Sequence, residues 1–358
     1  MAQAFSARTS LTILAVAALL WSAYVGEAFL TPLSLALFLV ALVWPVQIVL
    51  QARIGRAFAV IVTFSILLAA IVGLSTTALW ALENIWRTIS GNAERYQSLY
   101  RSMAMWLENH GVVLPGLWAE TFDINWMLRL AQQFLSRTGQ TMSFWAIVIA
   151  YVVTALFEVP HFARSIDRYS SPRAAALIRG GTVATARKLR LYMAVRAAVS
   201  LATGCMITVI ALIVGLPLAF EWGIVGFVLN FIPFIGPLIA TLLPAAFALV
   251  HLGDPSFAVL LFVGLTILQF IGGNYLEPKI SGNALRLSPF IVLVAVFLWT
   301  FIWGIYGTFI GVPIMIAIAC FAEQTSGSRW LLGLMGAAAD PIDDVQDVRS
   351  ADQPEPPA

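Results

Sequence analysis

The sequence predicts an all-α, polytopic integral membrane protein with six to eight transmembrane helices, and three observations carry that prediction. Of its 358 residues 60% are hydrophobic and 11% charged, against about 25% charged in soluble domains. The apolar residues fall into runs of about 20, the length that crosses a hydrocarbon core. Two further apolar stretches, 222–250 and 289–321, are too long for one perpendicular crossing, too short for two, and interrupted by Gly and Pro. Helical hairpins that re-enter the bilayer would reconcile their length with their breaks.

The first span is expected near 10–26. Arg8 precedes it in the manner of a signal peptide, but many spans follow and no small-x-small cleavage site is evident, so it reads as an uncleaved helix. Spans near 29–50 and 57–82 follow, separated by Arg53–Arg56; basic turns favour the cytoplasm, which also places the N-terminus there. Residues 1–82 are therefore an N-terminal scaffold. Residues 83–140 are expected outside as an amphipathic segment, with Ile85, Trp86, Ile89, Tyr96, Leu99, Met103 and Trp106 at helical spacing, a break at Gly111–Gly116, and a second helix through Trp126, Met127, Leu130 and Phe134.

Residues 141–215 hold two spans around a basic cytoplasmic loop, 161–190. Arg164, Arg168, Arg173, Arg179, Arg187, Lys188, Arg190 and Arg196 meet only Asp167 in this region, and Asp167, Ser171-Pro172 and Gly180-Gly181 are expected to divide it into short helical pieces. Its charge serves as an orientation signal or as a grip on anionic headgroups. Residues 216–322 form the expected transport region, containing both broken stretches and a span at 256–276. The tail, 323–358, becomes acidic and Pro-rich from Asp340 and reads as cytoplasmic and disordered.

Stretch 222–250 carries Pro233, Gly236, Pro237 and Pro244. Two prolines flanking Phe-Ile-Gly remove backbone donors near its middle, so the helix should stop and restart. Unpaired backbone at membrane depth persists only against protein or a wet cavity, which makes the break a candidate solute or ion site. Asn230 precedes it, placed either to coordinate a solute or to bond a neighbouring helix. Gln269 and Asn274 offer amides on the next span. Glu277 is an acid at the edge of an apolar region, a candidate coupling group unless Lys279 or Arg286 merely neutralises it. Stretch 289–321 holds Gly304, Gly307, Gly311 and Pro313, candidate hinge and close-packing positions. If both stretches cross singly there are eight spans; if both are hairpins there are six, and the turn bearing Lys279 becomes cytoplasmic, as the positive-inside rule favours.

Other chemistry is not indicated. The sequence contains no phosphate-binding GxxxxGK[ST], HExxH, GxSxG or CxxC motif, so neither an enzyme, a bound cofactor nor a metal is expected. Its net charge of +2 gives no reason to expect nucleic acid. Cys205 and Cys320 read as small core residues, and His110, His161 and His251 as solvated or capping groups. Trp222-Gly-Ile-Val-Gly226 is echoed by Trp303-Gly-Ile-Tyr-Gly307, but at a different place relative to the expected breaks, so no repeat follows.

Three linked motifs carry a resemblance: the run from Gly223 through FVLNFIPFIGP to Pro244, LEPKISG from Leu276 to Gly282, and GIYGTFIGVP from Gly304 to Pro313. In order and spacing they resemble the autoinducer-2 exporter family of bacterial membrane proteins over about residues 190–320. Phe234, Ser281 and Ser288 depart from the Tyr, Met and His common there. The resemblance implies an inner-membrane secondary transporter of a small polar solute such as autoinducer-2, or a sodium(lithium)/proton antiporter. It further implies a homo-oligomer, a pentamer in characterised members, with a mobile region built on re-entrant hairpins.

Overall fold

The computed structural model describes residues 4–109, 138–281, 287–325 and 328–336. The expectations for Gly111–Gly116, for the helix through Trp126–Phe134, for Arg286 and for the tail from Asp340 lie outside the described residues. Those described form helices, with no strand among them.

Helices α1 (Ala4–Val25), α2 (Glu27–Ile54) and α3 (Arg56–Gly91) follow one another across the single residues Gly26 and Gly55. The turn at Gly55 uses a φ of 78°, which a residue with a side chain rarely adopts. The amphipathic α4 (Ala93–Asn109) follows α3 almost directly. Helix α5 (Thr138–Tyr169) packs on α2 and α3 through Val148, Val152 and Leu156, which meet Ala36, Val40 and Val60 in one buried cluster.

Helix α6 (Pro172–Val214) is continuous for 43 residues, about 64 Å at 1.5 Å per residue. Ser171 caps its start by accepting from the Ala174 N–H, with Pro172 in the first turn where its missing donor is harmless. The divisions expected at Asp167 and at Gly180-Gly181 do not occur: Asp167 lies inside α5, and α6 runs unbroken through the glycines. These glycines are a packing surface instead: a Cβ at Gly181 would lie 2.6 Å from the Phe321 ring, and one at Gly180 2.5 Å from the Gln324 side chain.

Each broken stretch folds back on itself. The first forms α7 (Ala219–Leu229) and α8 (Ile235–His251), antiparallel arms whose far ends meet where the Trp222 and Phe247 rings lie 5.2 Å apart. Helix α9 (Pro255–Ile271) leads through a π-helical turn, Gly272–Leu276, into the short α10 (Glu277–Ser281). The second broken stretch, α11 (Pro289–Glu323), is two helical parts joined by non-helical backbone at Trp303 and Gly304. Its two parts form a hairpin. A Cβ at Gly307 would meet the Trp299 carbonyl oxygen at 1.8 Å, and one at Gly311 the Ala295 carbonyl oxygen at 2.9 Å; in a straight helix these pairs stand about 12 and 24 Å apart. The short α12 (Arg329–Leu334) closes the described chain.

Six helices among the described residues are long and apolar enough to span a membrane, namely α2, α3, α5, α6, α9 with its π turn, and α11. Length overstates α11, since it doubles back; the apolar part of α1 is shorter than these six, at 16 residues, Ser10–Val25. The outward surface suits lipid: Phe58, Ile213 and Phe301 are 69%, 79% and 81% exposed, whereas Gln47, Thr63, Arg196, Ser200, Glu221 and Asn230 are buried. Cys320 is buried as expected, but Cys205 is exposed on the outer face of α6.

Candidate functional site

The two hairpins enter the bundle from opposite ends. At one end, rich in arginine, the Arg56 guanidinium lies 3.0 Å from His161 Nε2, and Lys188 Nζ donates to Glu323 at the foot of the second hairpin, 3.0 Å away. At the other end the foot of the first hairpin is held to α3 and α4: Asn84 Nδ2 donates to Glu221 Oε1 at 3.0 Å, and the Tyr96 hydroxyl lies 3.4 Å from His251 Nδ1. The tip of the second hairpin reaches that same end, where the Trp303 indole N–H donates to the Ala23 carbonyl at 2.9 Å.

The tip of the first hairpin is set deep by its sequence. Asn230 ends α7, and Pro233, Phe234 and Ile235 form a tight turn in which the Ile235 N–H donates to the Pro233 carbonyl at 2.7 Å. Phe234, at φ 63° and ψ −55°, occupies the strained γ-turn geometry, uncommon for a residue with a side chain. Gly236 then restarts the helix against the Leu229 carbonyl, which a Cβ would approach to 1.8 Å. Pro237 lacks a donor where the first turn needs none, and its carbonyl accepts from Thr241 Oγ1.

This tip faces a polar stripe on α6. Arg196, Ser200 and Thr203 recur at one-turn spacing and are 8%, 0% and 3% exposed. Asn230 Nδ2 donates to Ser200 Oγ at 3.2 Å, both residues being buried. One turn along, Arg196 Nη1 donates to Glu277 Oε2 at 3.2 Å, and its guanidinium lies 5.9 Å from the Tyr192 ring centre. The π turn brings the chain here, because Gly272 packs its backbone against Thr203 and Val199. A single-turn π segment departs from regular helix and often marks a functional site.

Of the sequence-predicted residues, Asn230 and Glu277 contact this face of α6, while Pro233, Gly236 and Pro237 lie in the turn that follows Asn230 and the start of α8. Gln269 is half-buried on α9 with no partner for its side-chain N–H groups. Asn274 is exposed, its amide donating to the Phe270 carbonyl, and is not part of the column. Glu277 pairs with Arg196 rather than with Lys279. Gly304, at φ 58°, makes the second tip; Gly307 and Gly311 let its arms touch, and Pro313 is buried on the outgoing arm. Thr300 and Thr308 hydroxyls, 2.7 Å apart, join those arms near the tip. No group of three potential metal ligands occurs among the described residues.

Arg196 stands in the sequence as the last member of the basic segment, and Ser200 and Thr203 carry no motif that singles them out. The signal was available: Arg196 is the one basic residue inside the run 191–215, with hydroxyl residues four and seven positions later on the same helical face.

Comparison with known proteins places this arrangement in a family. A family model described as AI-2E family transporter matches residues 13–327. The chain is 27% identical over 311 residues to the AI-2 transport protein TqsA of Escherichia coli (strain K12), covering 86% of this chain and 89% of that protein. It is 24% identical over 277 residues to the putative transport protein YhhT of the same organism, covering 77% and 78%. A putative transport protein of Borreliella burgdorferi is 27% identical over 187 residues, about half of each chain. The matched region contains α6 and both hairpins entire, and the chain accordingly belongs to the AI-2E family of membrane transporters.

Proposed function

We propose that this protein exports a small polar solute, with autoinducer-2 as the leading candidate, across a bacterial cytoplasmic membrane by alternating access. The observation that carries this reading is the pair of helical hairpins inserted from opposite ends, with a buried polar stripe of α6 against the tip of one. Broken helices at membrane depth expose backbone ends and amides that an aqueous solute needs. Asn230, Ser200 and Thr203 supply donors and acceptors for it, while the hairpins shut the path from alternate sides. Six crossings by α1, α2, α3, α5, α6 and α9, with both termini in the cytoplasm, place the arginine-rich end inside. Helices α1–α4 form the scaffold and the contacts of a homo-oligomer.

Coupling is assigned to Glu277. A buried guanidinium requires a counter-anion, so a proton or sodium ion arriving at Glu277 competes with Arg196 and alters what the stripe can hold. That competition also favours a second reading, sodium(lithium)/proton antiport. One proteoliposome experiment separates them, measuring autoinducer-2 efflux beside sodium-dependent proton movement. Efflux without sodium-dependent proton movement supports the exporter, the reverse supports the antiporter, and absence of both overturns the site.

A further inference from the structure

A second concavity, distinct from the polar stripe, measures about 1070 Å³ and lies between α2, α5, α6 and the outgoing arm of the second hairpin. Its wall is formed by side chains such as Phe38, Trp44, Phe162, Leu189, Ile314 and Phe321, with Ser34, Arg179, Thr182 and Thr185 as its few polar members. A wall of this kind offers a polar solute almost nothing to bond and suits an apolar chain, which gains dispersion contacts along it. Phe162 and Val183, two of its lining residues, are each 62% exposed.

Charge identifies the occupant. From Pro172 to Arg190, helix α6 carries Arg173, Arg179, Arg187, Lys188 and Arg190 and no acidic residue. Arg179 is part of the wall, and Arg190 donates to the carbonyl of Ala41, another wall residue, at 3.1 Å. Arg179 also pairs with Asp167 of α5, but a guanidinium has five donors in a planar fork and retains capacity for a phosphate oxygen. We propose that this cavity is a specific site for an anionic phospholipid, its acyl chain between α2 and the second hairpin and its phosphate at Arg179. An acyl chain fits the apolar wall, and a negative headgroup fits the basic helix that borders it. The bound chain fills the gap between the α2–α5 layer and the hairpin arm carrying Pro313.

Trp44 reports on the site directly. The full chain is reconstituted in phosphatidylcholine nanodiscs containing increasing fractions of either phosphatidylglycerol or phosphatidylcholine brominated on the acyl chain. The fluorescence component present in the wild type and absent from Trp44→Phe is then followed. Half-quenching is expected at a several-fold lower fraction of brominated phosphatidylglycerol than of brominated phosphatidylcholine. Arg179→Gln should bring the two curves together, and Ala317→Phe, which fills the cavity, should protect Trp44 from both. Equal quenching of the wild type by the two lipids, meaning ordinary annular contact, overturns the proposal. So does a Trp44 that neither lipid quenches, as when a second copy of the chain covers this face.

Discussion

Arg196 and Glu277 are 81 positions apart and meet at 3.2 Å, joining the middle of the longest helix to the end of a π-helical turn. Their side chains are 9% and 29% exposed, so this is an ion pair largely withdrawn from water. Removing one member leaves the other charge buried, which costs about 3–5 kcal/mol at a fully buried pair. Partial access to Glu277 moves the expectation to about 3 kcal/mol. Glu277→Gln should therefore lower the thermal midpoint in detergent. The double variant Arg196→Met with Glu277→Gln should recover most of that loss while remaining inactive in transport, whereas a pair that were only structural would regain transport as well.

The Asn230–Ser200 hydrogen bond joins neutral partners and should contribute about 1 kcal/mol. Asn230→Ala and Ser200→Ala should each cost roughly that much, and the double variant little more than either single one. Transport should fall far more than stability does, because the same amide is assigned to the solute. Thermal melts read beside transport rates measure both; loss of activity in proportion to loss of fold would remove Asn230 from the site.

Gly236 and Gly307 test the hairpins themselves. A methyl group at either meets a backbone carbonyl at 1.8 Å, and backbone cannot rotate aside as a side chain can. Gly236→Ala and Gly307→Ala should prevent the arms from closing and abolish accumulation of folded protein. Gly264, in α9, has nothing within 4 Å of the added methyl, and Gly264→Ala should be tolerated or should stabilise the helix by up to about 1 kcal/mol. Size-exclusion profiles of the three variants give the comparison.

Tyr96, on α4 outside the spans, is expected to ionise late. Burial, opposed in part by Arg95, raises its pKa from 10.0 to about 12. Because the folded value lies above the unfolded one, the neutral phenol's contribution to stability is complete below pH 10 and is lost as pH rises through about 12. Phenolate absorbance, compared between wild type and Tyr96→Phe, should show this group titrating near 12. Titration near 10 would mean that the α4 contact with His251 does not persist in solution.

The two breaks were legible in the sequence because Pro and Gly act on the backbone locally: Pro233, Pro237, Gly304 and Gly307 mark the hairpins before any packing is known. Their reversal into antiparallel arms depends on contacts such as Trp222 with Phe247, far apart in sequence. Gly180-Gly181 misled for the complementary reason, since glycine reads as a breaker when alone and serves here as a contact surface for Phe321. The pairing of Glu277 with Arg196, instead of with nearby Lys279, is likewise a long-range choice. It is fixed by where the π turn aims the chain, and five residues of Gly272–Leu276 give no periodic signal for that.

Solute counterflow in proteoliposomes addresses the central claim most directly. Vesicles loaded with unlabelled autoinducer-2 and given labelled solute outside should take up label transiently, at a saturable rate that rises with the internal concentration, and Asn230→Ala should suppress that uptake. Flux that never saturates and ignores internal solute would make the path a passive channel, and no flux of any tested solute would leave the hairpins as a membrane scaffold.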